Sequence, residues 1–179
     1  MLSWGVLGLL ADGPVPVRLA LLGLDLVVAW LFVRRSALQS EASPRELATA
    51  LPSLVLGGWA FVGAGPPGDW PLTAQALFGL GALWTACSLA SLGSSFAVLP
   101  ALRALVRRGP YRLLRHPAYL GEALLVGACV LAGGPWQALV ALIPALVLRI
   151  RGEERVLTAD PAWSDYAASV RYRLLPGLW

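Results

Sequence analysis

Long apolar runs separated by short polar breaks set the pattern of this chain. Five runs, 15–33, 47–65, 71–92, 119–133 and 135–150, consist mostly of Leu, Val, Ala, Gly, Phe and Trp. A helix needs about 20 residues to cross the hydrocarbon core of a bilayer. The first three runs meet that length. The last two are shorter, and only Gly133-Gly134-Pro135 separates them, which predicts a tight helical hairpin turned by residues that cannot continue a helix. The apolar segment 2–10 is too short to span and is expected at the membrane interface. It carries no basic flank, so it does not read as a cleaved leader. Small residues recur inside the runs: Gly57-Gly58, Gly63, Gly79, Gly81, Ala82, Ala86, Ser88 and Ser91. They allow the close helix approach on which membrane packing depends. Gly79-Leu-Gly81 follows no strand and is not a dinucleotide fingerprint. The expected fold is all-α: one polytopic integral membrane domain over residues 1–179, with about five transmembrane helices and a C-terminal helical hairpin.

Composition agrees. Of 179 residues, 58% are hydrophobic and 13% charged, against about 25% charged in an ordinary soluble domain. All fourteen cations are arginine, which excludes a Schiff-base or P-loop lysine. With five spans, Arg34, Arg35 and Arg45, then the arginines from Arg103 to Arg115, then those from Arg149 to Arg173 share one face. Arg18 alone lies on the other, and loop 64–70 carries Asp69 without a cation. The arginine-rich face is therefore expected to be cytoplasmic, with the N-terminus outside. The lysine-free, alanine- and arginine-rich composition suggests a bacterial inner membrane. Cys87 and Cys129 sit in apolar runs and read as packing residues; with one histidine they cannot make an ordinary zinc site, so no metal is expected. Asp25, inside the first run, lies two helical turns from Arg18, and pairing with it is the bland expectation.

Two polar clusters bracket the predicted hairpin. The first, Gly109-Pro-Tyr-Arg-Leu-Leu-Arg-His-Pro-Ala-Tyr-Leu-Gly-Glu122, holds the only histidine, His116. Its two prolines disfavour helix at the residues before them, so the backbone is expected to break twice. Pro117 then suits the first turn of the fourth helix, leaving His116 near its positive end, where an anionic group is favoured. The second cluster is Arg149-Ile-Arg-Gly-Glu-Glu154. Arg149 and Glu153 are four apart and can pair, whereas Glu154 points about 100° away. If the fifth helix continues to about Thr158, both clusters face the same cytoplasmic space. Singly, such arginines serve topology and lipid headgroups; the convergence of His, Tyr, Arg and Glu around one hairpin points to a site.

Gly109-Pro-Tyr111, Arg115-His-Pro-Ala-Tyr-Leu-Gly121, Arg149 with Glu153-Glu154, Tyr166 and the Arg-Leu-Leu-Pro at 173–176 together resemble the isoprenylcysteine carboxyl methyltransferase family, whose wider group includes membrane phospholipid N-methyltransferases. The resemblance covers residues 91–179. It implies S-adenosylmethionine as cofactor, bound in a cytoplasmic pocket under the C-terminal segment, and a tunnel admitting a lipid-like acceptor. Carried over, Leu105, Val106, Gly109 and Tyr111 would line the cofactor, Arg115, His116 and Tyr119 would hold its polar end, and Glu153 would take its ammonium or a hydroxyl. Arg149 and Glu154 would serve the acceptor as catalytic residues. A carboxylate acceptor needs only an orienting arginine; an amine or phenol needs a base, with Glu153 or Glu154 available. The partners implied are the bilayer and a lipophilic or small-molecule acceptor, with no nucleic acid. Trp163, Tyr166, Tyr172 and Trp179 read both as interfacial anchors and as a cover for the pocket. Two other readings are an NADPH-dependent sterol-type reductase, against which the short chain counts, and a non-enzymatic membrane protein, against which the clustering of polar residues at one face counts.

Overall fold

The computed structural model describes residues 15–34, 44–95, 105–177 and 179. Among these residues it is all-helical, with no strand. The helices are α1 (Pro16–Arg34), α2 (Pro44–Gly63), α3 (Leu72–Leu92), α4 (Pro117–Leu131), α5 (Trp136–Leu157) and a short α6 (Trp163–Ser169). Each apolar run becomes one of α1–α5. Segment 2–10 and the arginines at 35 and 103 lie outside the described residues.

Proline and glycine set the boundaries. Pro117 opens α4, and Pro71 and Pro135 stand just before α3 and α5, where a missing N–H costs nothing. Gly65, Gly93 and Gly133 follow α2, α3 and α4 with φ of 72°, 54° and 97°, the left-handed conformation that closes a helix without a Cβ penalty. At the hairpin turn the fit is tight. A Cβ on Gly134 would lie 2.7 Å from the Cys129 carbonyl oxygen and 2.9 Å from that of Ala60.

α4 lies against α3 over the most extensive helix–helix contact, with α2 on α5 and α1 on α3 next. At the α3–α4 crossing a Cβ on Gly121 would collide with the Thr85 side chain, and one on Gly81 would come within 3.1 Å of Leu124 Cβ. The indole of Trp84 donates to the Pro117 carbonyl at 2.8 Å, tying α3 to the start of α4. Val17, Ala60, Trp70, Ala74, Phe78, Val126, Cys129, Leu142 and Leu146 form the core. Cys129 is buried as expected, but Cys87 is exposed on α3, because its position falls on the side of that helix away from α1 and α4.

Large apolar side chains also point outward on every one of α1–α5, among them Leu26, Val55, Leu80, Leu131 and Val140. Two helices, α1 and α3, are long and apolar enough to cross a membrane; the apolar stretches Leu51–Gly63 and Pro117–Leu131 are shorter. α5 continues past the apolar run to Leu157 and carries Glu153 and Glu154 beyond it.

Candidate functional site

The segment before α4 breaks twice, as its prolines require. Gly109 has φ 58°, and a Cβ there would strike the Ser91 hydroxyl, so the turn needs both the left-handed conformation and the missing side chain. A single 3-10 turn, Gly109–Arg112, follows and buries Tyr111. His116 stands at the N-cap of α4 with φ −128° and ψ 57°, outside the helical and extended regions. Its backbone N–H donates to the Arg173 carbonyl, and that of Arg115 to the Tyr172 carbonyl, both at 2.9 Å. The C-terminal tail is thus bonded along the break.

Side chains hold the tail as well. The Arg115 guanidinium donates to the carbonyls of Val170 (2.7 Å) and Ala167 (2.6 Å) and to Glu154 Oε1 (3.3 Å). Arg173 Nε donates to both Glu154 oxygens, at 3.0 and 2.9 Å. The Tyr166 hydroxyl donates to the Tyr111 carbonyl at 2.9 Å. Trp163, Tyr166 and Val170 form a small second core with Leu105 and Leu157.

His116 is the electrostatic centre. It is 5% exposed, with Nδ1 3.4 Å from Glu153 Oε2 and Nε2 3.4 Å from Glu154 Oε1. Burial alone would depress its pKa, but the hydrogen bonds and charges of the two glutamates outweigh burial and raise it. The carboxylates respond reciprocally. Burial pushes each upward, yet His116 and Tyr119 hold Glu153 below its ordinary range, and His116 with Arg173 holds Glu154 down to about 2. Both ring nitrogens thus face carboxylates, an arrangement that favours the charged form of the imidazole. Burial first, then the Glu153 charge, raises the Tyr111 phenol and keeps it neutral; burial likewise pushes Tyr166 up to about 12.

Tyr119 links this centre to the part of the site between α2, α4 and α5. Its ring stacks on His116 at 5.7 Å and 9°, its hydroxyl donates to Glu153 Oε2 at 2.8 Å, and Arg149 Cζ stands 4.8 Å from its centroid. Arg149, 6% exposed, donates to Ser53 Oγ of α2 at 2.7 Å and lies 3.7 Å from Glu122 Oε2 of α4. The i to i+4 spacing allows Arg149 to pair with Glu153; Arg149 reaches α2 and α4 through these contacts, and its charge also acts on Glu153, which Tyr119 and His116 engage directly.

These groups open onto one cavity of about 630 Å³. At one end it is walled by Leu105, Val106, Tyr111, Arg115, His116, Tyr119, Glu153, Leu157, Trp163 and Tyr166; at the other by Gly57, Gly58, Phe61, Phe78, Val126 and Cys129; Ser53, Glu122, Arg149 and Asp25 line it as well. Of the ten residues singled out in the sequence, eight line the cavity. Gly109 shapes the backbone beside it, and Glu154 sits behind His116 in the tail contacts.

Residues 71–159, about half of the chain and including α3, α4 and α5, match the sequence model of the phospholipid methyltransferase family. Over that stretch the chain belongs to the phospholipid methyltransferase family. No curated protein matches the chain. The family assignment makes this a methyltransferase-type membrane enzyme, and the matched stretch contains His116, Tyr119, Glu122, Arg149, Glu153 and Glu154 but not the tail.

Sequence reasoning missed Ser53, Glu122 and Leu157, and gave Trp163 only an anchoring or covering role. A signal existed for Glu122. It is a single acid in an apolar helix, three residues after Tyr119 and so on the same face. None existed for Ser53, which meets Arg149 only through tertiary structure.

Proposed function

We propose that this methyltransferase-family protein uses S-adenosylmethionine to methylate an amphiphilic acceptor at its arginine-rich face. The observation that carries the reading is the continuous cavity, whose lining combines aromatic and carboxylate side chains with apolar ones and includes Arg149. The residues fit the cofactor. Its sulfonium and ammonium suit the rings of Tyr111, Trp163 and Tyr166 and the Glu153 carboxylate, while its carboxylate suits the start of α4 beside His116. Leu105, Val106 and Leu157 offer apolar contact. The cavity is within the usual size range of ligand sites. Bound there, the cofactor would supply a sulfonium-activated methyl group.

The protein's part is alignment and exclusion of water. Arg149, fixed by Ser53, the Tyr119 ring and Glu122, would orient the acceptor within the cavity. His116 and Glu153 fix the Tyr119 hydroxyl and the charge of the cofactor chamber. Glu154 lies behind His116 and is bound by Arg115 and Arg173, so its role is to hold the tail over the site and not to touch the acceptor. We read α1–α5 as five spans, with the N-terminus outside and the site on the cytoplasmic side of a bacterial inner membrane, from the one-sided arginine distribution. Proteoliposomes supplied with methyl-labelled S-adenosylmethionine test the reading. Label should enter the lipid phase, and Arg149→Ala should abolish the transfer. Label that never leaves the aqueous phase would sink it.

A further inference from the structure

We infer that the groove between the ends of α1 and α3 binds the phosphate of an anionic phospholipid, at a site separate from the cavity described above. Trp30, Arg34, Ala90, Gly93 and Arg108 line this groove, whose volume is about 360 Å³. None of the five lines the larger cavity. The inference does not depend on the methyltransferase reading; it uses the reading of α1 and α3 as spans. α1 ends at Arg34 and α3 at Leu92. α1 packs on α3 and on the 3-10 turn Gly93–Ser95 that follows it, so the two ends stand together. Helix ends expose carbonyls, and a single arginine at such an end needs no ligand. Here two arginines are held at fixed places. Arg34 Cζ stands 5.1 Å from the Trp30 ring centroid, one turn back on α1. Arg108 reaches in from the chain segment before α4: its Nε donates to the Ser91 carbonyl at 2.9 Å, and its Nη2 lies 3.0 Å from where a Cβ on Gly93 would stand. Gly93 has φ 54°, so the turn that makes room for this guanidinium also needs glycine.

Among the described residues no carboxylate pairs with Arg34 or Arg108, and the Ser91 carbonyl is the one hydrogen-bond acceptor that either guanidinium meets. Two donor forks facing one small space suit a phosphate, whose several oxygens can accept from both; a carboxylate is filled by one fork. The surroundings select a lipid phosphate over a free one. The groove lies at the arginine-rich end of the two helices that are long and apolar enough to cross a membrane. Trp30 is exposed beside it, and a tryptophan at that level sits among headgroups. One turn deeper on the same face of α1, Leu26 is exposed, and two turns deeper than Ala90 on α3, Leu83 is exposed as well. A phosphate held by Arg34 and Arg108 therefore has apolar helix surface below it for acyl chains, the arrangement of a basic pocket between spans that takes an anionic headgroup.

The test is native mass spectrometry of the detergent-purified protein with three probes: dioleoylphosphatidylglycerol, dioleoylphosphatidylcholine and glycerol 3-phosphate. Wild type should retain one phosphatidylglycerol in preference to phosphatidylcholine, and glycerol 3-phosphate only weakly. Arg34→Gln combined with Arg108→Gln should weaken phosphatidylglycerol binding by about tenfold or more. Arg112→Gln combined with Arg155→Gln removes the same charge from exposed arginines outside the groove and should change it by no more than about twofold. Equal losses in the two double variants would mean a diffuse attraction to the whole basic face and overturn the site. Phosphatidylcholine retained as tightly as phosphatidylglycerol, or glycerol 3-phosphate retained as tightly as either lipid, overturns the assignment to an anionic lipid. Ala90→Leu keeps both arginines and fills the groove floor from an exposed position on α3. It should lower phosphatidylglycerol binding about as much as the loss of the two arginines, and it decides the matter should that double variant not fold. Unchanged binding in Ala90→Leu overturns the inference.

Discussion

Replacing Glu154 by glutamine keeps the shape of the side chain and removes its charge. In the native protein this carboxylate accepts from Arg173 at 2.9 and 3.0 Å and from Arg115 at 3.3 Å, and meets His116 at 3.4 Å. The Arg173 side chain is 34% exposed, so solvent discounts that pair to about 1 kcal/mol. Arg115 and His116 are 12% and 3% exposed at the side chain, and charge-assisted hydrogen bonds in such surroundings contribute about 1.5 kcal/mol or more each. Those two groups lie on the α4 side of the contact, so only the Arg173 pair crosses to the tail, which should lose about 1 kcal/mol of docking free energy, or roughly fivefold in the docked population. The assay is amide hydrogen exchange at Arg115 and His116, whose N–H groups donate to the tail carbonyls of Tyr172 and Arg173. Their protection should fall by that factor, and cofactor affinity should fall with it. Native-like protection with unchanged cofactor binding and lost turnover would show that Glu154 does not hold the tail and would return it to the acceptor.

Other perturbations bear on separate parts of the structure. Gly121→Ala should destabilise the α3–α4 crossing by about 1–3 kcal/mol through collision with Thr85, read as a lower unfolding temperature in detergent. Tyr166→Phe removes the hydroxyl that donates to the Tyr111 carbonyl. It should cost about 1 kcal/mol and loosen the tail in the same exchange experiment. The pH dependence has a defined sign on each side. His116, raised by its two carboxylates, contributes fully below its ordinary 6.5, and its contribution is lost as pH rises through the raised value. Glu154 contributes fully above its ordinary 4.5, and its contribution is lost as pH falls from there towards about 2. Thermal stability in detergent should therefore hold from about 4.5 to 6.5 and decline on both flanks.

The five long helices were legible because each is an apolar run closed by proline or glycine, and length with composition decides such elements. α6 was not: Trp163–Ser169 is seven residues long and is held by Tyr166 reaching Tyr111, a contact 55 positions away. The site divides the same way. His116, Tyr119 and Glu153 stand out because an odd histidine, two helix-breaking prolines and a helix extended beyond its apolar run put them at one end of one hairpin. The distinct roles of Glu153 and Glu154 depend on the tail, where Arg173 selects the second glutamate and leaves the first to Tyr119. Arg149 shows the limit of local spacing, since its partner Ser53 is 96 positions away. Such partners are fixed by helix packing, which no window of sequence contains.

A cofactor chamber at His116 and Glu153 is tested by calorimetric titration of the detergent-purified protein with S-adenosylhomocysteine and, separately, with NADPH. One site for S-adenosylhomocysteine, weakened in His116→Ala, and no heat from NADPH is the predicted result. Silence with S-adenosylhomocysteine together with binding of NADPH would mean that the chamber does not hold a methyl donor.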